Sequence, residues 1–113
     1  MGSPLLEKSL DFATCTVIFY ESFIKSRKDT TIAKQLLRSG TSVGANINEA
    51  VYGSSKADFI CKLHIALKEM GESIYWLTLL KRTALFEYDY DKILVLAEEI
   101  QRMLIASINT AKG

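Results

Sequence analysis

Apolar residues recur along this chain every three or four positions rather than in alternation, and at about 100° per residue that spacing predicts helices. Leu6, Leu10, Ala13, Val17, Tyr20 and Ile24 line one side of a first helix from about Leu5 to Ser26. Lys25, Arg27 and Lys28 follow, cations suited to the negative end of the helix dipole. Asp29, Thr30 or Thr31 can cap a second helix, whose stripe of Ile32, Leu36, Val43, Ile47 and Ala50 stops at Gly53. Ser54 or Ser55, with Asp58 shortly after, opens a third helix lined by Phe59, Leu63, Ala66, Met70, Ile74 and Leu77 and ending near Lys81 and Arg82. Asp89 or Asp91 opens a fourth, facing inward with Ile93, Ala97, Ile100, Leu104 and Ile108.

Helices of this length joined by short links must return alongside one another, because a few residues cannot carry the chain back to the far end. The expected architecture is all-α: an antiparallel up-down-up-down four-helix bundle, one domain spanning residues 1–113. The only proline is Pro4, so nothing downstream forbids long helices.

Two further features change the picture. The third helix carries a second apolar side, Cys61, Ile65, Trp76 and Leu79, and the first adds Phe12, Phe19 and Phe23 beside its stripe. One small bundle cannot cover all of this, so Phe19, Phe23, Ile65, Trp76 and Leu79 are expected at an interface between subunits. The second helix holds Gly40 and Gly44 on one side, where a missing side chain lets a neighbour come close. On its other side Arg38, Ser42, Asn46 and Glu49 form a polar ridge, with Glu69, Glu72 and Ser73 as expected partners in a hydrogen-bond network.

Composition adds exclusions. The 14 Lys and Arg nearly cancel the 13 Asp and Glu, and the most basic stretch, residues 54–82, carries only +2. Such a balance offers little long-range attraction for nucleic acid or anionic lipid. Lys56, Lys62 and Lys68, or the Lys25, Arg27 and Lys28 cluster, would have to be gathered by assembly into a basic patch before RNA could bind even weakly. No apolar run approaches a membrane span, Leu6 stands where a myristoylation signal has Ser or Thr, and the N-terminus lacks the pattern of a secretion signal. A cytoplasmic location with reduced Cys15 and Cys61 is expected. Cys61 and the lone His64 are too few ligands for zinc and have no evident carboxylate to orient them. Neither a catalytic centre nor a cofactor, metal or small-molecule substrate is expected.

The run Arg38 to Ala50, with Ser55-Lys56-Ala57-Asp58-Phe59-Ile60, Ile65-Ala66-Leu67-Lys68-Glu69, Glu72 and Tyr75-Trp76-Leu77, resembles a bacterial family. These are the four-helix-bundle proteins named after a product encoded in an intervening sequence of 23S ribosomal RNA. The resemblance covers about Leu10 to Ala111 and departs at Ala50, where many relatives have Gly. It implies a homo-oligomeric ring, typically a pentamer, with no established biochemical activity. It also implies a structural role for Arg38, Ser42, Asn46 and Glu49. A related branch, accessory proteins of diversity-generating retroelements, forms a markedly basic ring that binds nucleic acid and the reverse transcriptase; the near-neutral charge here differs from it. Two readings follow: an oligomeric scaffold or interaction protein, and a weak RNA-binding accessory protein.

Overall fold

The computed structural model describes residues 3–53 and 55–113. Met1, Gly2 and Ser54, the last one of the two caps expected for the third helix, lie outside the described residues. Four helices follow in order: α1 Pro4–Lys25, α2 Thr31–Val51, α3 Lys56–Thr83 and α4 Tyr90–Lys112. No strand occurs among the described residues.

The helix ends have local causes. Ser3 Oγ accepts the Leu6 N–H at 3.3 Å with Pro4 in the first turn, and Ser55 Oγ accepts the Asp58 N–H at 3.0 Å. Asp89 caps α4 through the Lys92 N–H, while Asp29 accepts both the N–H and the hydroxyl of Thr31 ahead of α2. The α1–α2 link turns through Arg27 at φ 60°, and α3 closes on Ala84 at φ 52°, both left-handed conformations held by residues other than glycine.

Each helix packs on its chain neighbours, α1 on α2, α2 on α3, α3 on α4 and α4 back on α1, with no diagonal pair in contact. That is the square up-down-up-down bundle, 45 Å long and about 20 Å across. α2 and α3 pack most extensively and α1 and α4 least. The expected stripes of α2 and α4 are buried almost as read, and α3 buries Leu63, Ala66, Met70, Ser73, Leu77 and Leu80.

α1 corrects the sequence reading. Its buried face is Leu5, Ser9, Phe12, Thr16, Phe19 and Phe23, and the stripe expected inside lies one residue round the helix, about 100° away. Leu10, Val17 and Ile24 on that stripe are 61%, 45% and 39% exposed. Both stripes keep a three-four spacing, and the more hydrophobic of the two is the outer one. The polar interruptions at Ser9 and Thr16 have a steric reason: they stand where α2 presents Gly44 and Gly40. Their hydroxyls are satisfied within α1, by Leu6 O and Ala13 O. Only small side chains fit where two backbones approach this closely, so the polar face was the one to bury.

Candidate functional site

Phe19 and Phe23 are not at a surface. Both are buried, at the centre of an aromatic cluster with Phe86, Tyr88 and Tyr90, where most ring pairs meet edge-on or tilted at centroid distances of 4.7–5.8 Å while Phe86 and Tyr88 stack at 6.5 Å. The reason is the rotated face of α1, which turns its phenylalanines onto the link before α4. Burial raises the phenol pKa of Tyr88 and of Tyr90 above the ordinary value.

The polar ridge resolves into separate pairs rather than one network. Arg38 donates to Glu69 at 3.0 Å and to Glu72, and the Trp76 indole N–H donates to the same Glu72 oxygen at 3.3 Å. Hydrogen bonding to Glu72 first, then to Glu69, holds the Arg38 guanidinium above its ordinary pKa. Glu49 instead bridges to Lys62 at 3.1 Å, which raises the Lys62 pKa. Asn46 makes no hydrogen bond to another helix among the described residues: its amide donates to Ser42 O, one turn back in α2. The fully buried polar contact is one residue off the ridge, Ser39 Oγ to Ser73 Oγ at 2.7 Å, with Ser73 also donating to Glu69 O. Ser73, expected as a partner of the ridge, pairs instead with Ser39, which sits within the apolar stripe.

The three lysines do not share a face. Steps of six residues at about 100° each turn Lys56, Lys62 and Lys68 successively by about 240°, so they point to three sides of α3. Lys62 is already paired with Glu49.

Apolar residues also stand outward. On α1, Leu6, Leu10 and Ala13 of the outer stripe line, with Glu7 and Ser9, a groove of about 400 Å³ whose other wall is Thr41, Gly44, Ala45 and Asn48 of α2. On α3, Ile65 is 37% and Tyr75 61% exposed, with Trp76 and Leu79 half-buried beside them. Tyr75 and Trp76 stack edge to face at 5.1 Å. Cys61 and His64 are exposed one turn apart, and no three residues of ligand type gather for a metal among the described residues. Among the described residues no helix is long and apolar enough to cross a membrane.

A square bundle of four antiparallel helices, a glycine-bearing second helix clasped to the first, and an Arg38–Glu69–Glu72–Trp76 seam define a small helical-bundle protein. The 23S rRNA-intervening sequence protein family matches residues 4–106, and the chain belongs to that family. It is also similar to a crystal structure, solved at 1.70 Å, of a protein of unknown function from the S23 ribosomal protein family of Bacteroides thetaiotaomicron VPI-5482. The two share 47% identity, the match covers 92% of this chain and 97% of the other, and the TM-score is 0.87. No curated protein matches the chain.

Proposed function

We propose that the protein is a non-enzymatic, homo-oligomeric scaffold, with a pentameric ring as the favoured assembly and its own copies as its principal partner. The observation that carries this reading is the unpartnered apolar surface: Leu10, Val17, Ile18 and Ile24 on α1 and Ile65 and Tyr75 on α3 stand exposed on an isolated chain. Contiguous apolar surface on a small soluble bundle marks a protein interface. The lengthwise stripes suit helix-against-helix packing better than the capture of a small molecule. Cys61 and His64, the one pair with nucleophile and base character, lie open to solvent without an orienting third group, which favours a non-catalytic role. Light scattering coupled to gel filtration tests the reading: a discrete mass of several chains at micromolar concentration is expected, and a clean monomer overturns it.

A further inference from the structure

From the way the four sides of the bundle are held, we infer that each chain opens like a book: α1 parts from α4, while α2 and α3 stay paired as the spine and carry α1 and α4 on the two leaves. The motion lies within one chain and does not rest on the oligomeric reading above.

Three sides of the square are spanned by short links, 26–30 between α1 and α2, 52–55 between α2 and α3, and 84–89 between α3 and α4. No link spans α1 and α4, so their separation stretches no loop. The same side is the least packed of the four, and α2 against α3 the most. A structure opens first where the fewest contacts must be given up.

The polar ties follow the same order. Across α2 and α3 run the Arg38 pairs with Glu69 and Glu72, the Lys62–Glu49 pair, and the buried Ser39–Ser73 hydroxyl contact at 2.7 Å. Across α1 and α4 the one ion pair among the described residues is Lys8 with Glu99 at 3.3 Å, its side chains 37% and 41% exposed. A pair so open to water holds weakly.

The middle of the α1/α4 side is also hollow. A groove of about 420 Å³ runs there, lined by Cys15 of α1, Tyr88 and Asp89 of the link, and Lys92, Ile93 and Leu96 of α4. The aromatic cluster ties Phe19 and Phe23 to Phe86, Tyr88 and Tyr90 and closes this side at the link end. Separation is therefore widest at the Lys8–Glu99 end, beside Ile100, one turn beyond Leu96 and fully buried in the closed chain. Each leaf stays whole: α1 remains clasped to α2 where Ser9 and Thr16 meet Gly44 and Gly40, and α4 remains on the better-packed side of α3 to which its link joins it. The open form exposes the core to solvent without unfolding a helix.

Thiol labelling with iodoacetamide in a Cys15→Ser, Cys61→Ser background tests this. Ile100→Cys puts the reporter on the α1 side of α4 and Ser73→Cys puts it on the spine, both at fully buried positions; Ala97→Cys, equally buried on α4, replaces the first if that variant does not fold. The urea melt of each variant gives the labelling rate that its global unfolding alone would allow. The α4 reporter should label at least about tenfold faster than that rate and with a weaker dependence on urea, the spine reporter at that rate, and neither rate should change with protein concentration. An α4 reporter that tracks global unfolding overturns the inference, as does a spine reporter that labels equally early. Labelling that slows as protein concentration rises also overturns it, because exposure would then come from dissociation of copies. A monomeric protein that still shows the early α4 labelling overturns the oligomeric reading and supports this one.

Discussion

Gly40 and Thr16 touch so closely that a Cβ on Gly40 would lie 2.7 Å from Thr16 Cγ2. Gly44, one turn further along α2, leaves its would-be Cβ at an ordinary 3.4 Å from Ser9 O, and at Gly71 on α3 a Cβ would meet nothing within 4 Å. Three glycines in helix interiors thus make three different predictions. Gly40→Ala should destabilise by about 1–3 kcal/mol through overpacking, despite alanine's better helix propensity. Gly44→Ala should be close to neutral, and Gly71→Ala should stabilise by about 0.5–1 kcal/mol. Urea melts decide the order. Thr16→Ser, which removes the obstructing methyl, should recover part of the Gly40→Ala loss; if it recovers none, the close approach is not the reason Gly40 is there.

Arg38 stands between two carboxylates of α3, and its own side chain is half exposed, so the direct worth of the pairing is modest. Arg38→Met should cost roughly 0.5–1 kcal/mol at neutral pH, part of it from leaving Glu69 and Glu72 facing each other unneutralised. Salt screens that repulsion, so the penalty should shrink at about 1 M salt. The emission of Trp76, whose indole is tied to Glu72, should shift in the same variant. A penalty that is flat with salt would show that Arg38 acts through its aliphatic stem and not its charge.

Asn46 illustrates how far the sequence could be read. The helices, their order and several of their ends were legible, because Ser55, Asp89 and Gly53 are local signals that need no knowledge of the partner. Which face of α1 turns inward was not. Two apolar stripes lie side by side there, and the choice between them is made by Gly40 and Gly44 on another helix. The pairing of Ser9 and Thr16 with those glycines is the signal that could have settled it. The ridge on α2 lies beside α3, yet spacing alone could not distinguish Arg38, which reaches across, from Asn46, which bonds back to Ser42 O. A cross-helix network would make Asn46→Leu cost about 1–3 kcal/mol. With only a bond inside its own helix, that substitution should stay within about 0.5 kcal/mol of neutral in urea melts.

The aromatic cluster at the α4 end of the bundle gives the fold an alkaline limit. Burial raises the Tyr88 phenol pKa, with Cys15 and Asp89 adding to the shift, and burial together with Tyr88 raises that of Tyr90, whose hydroxyl also donates to Phe86 O at 2.9 Å. A tyrosine whose folded pKa lies above its unfolded value holds its proton more tightly in the folded state. Its contribution is complete below the unfolded pKa of about 10 and is lost as pH rises through the folded value. Stability should therefore decline above about pH 10, and Tyr90→Phe should flatten that decline. Spectrophotometric titration should show two phenols ionising late. A titration without that late phase would mean that the cluster opens before it ionises.

RNA binding is where the family's designation and the geometry diverge. Affinity for nucleic acid draws on counterion release, which needs a surface where cations outnumber anions. The chain carries a net charge of +1, and its most basic helix spreads Lys56, Lys62 and Lys68 over three sides. Glu49 already holds Lys62, and Lys56 and Lys68 point to different sides of α3, so a single chain presents no concentrated basic face. A ribosomal RNA fragment should accordingly bind no more tightly than roughly 10 µM at physiological salt, the range of non-specific contact. A filter-binding titration at about 150 mM salt measures this. Lys56→Glu should then change the affinity by less than about threefold, since a single exposed lysine supplies at most one phosphate contact. Submicromolar binding that disappears when Lys56, Lys62 and Lys68 are all changed to Glu, in a protein that still assembles, would replace the scaffold reading with that of an RNA-binding accessory protein.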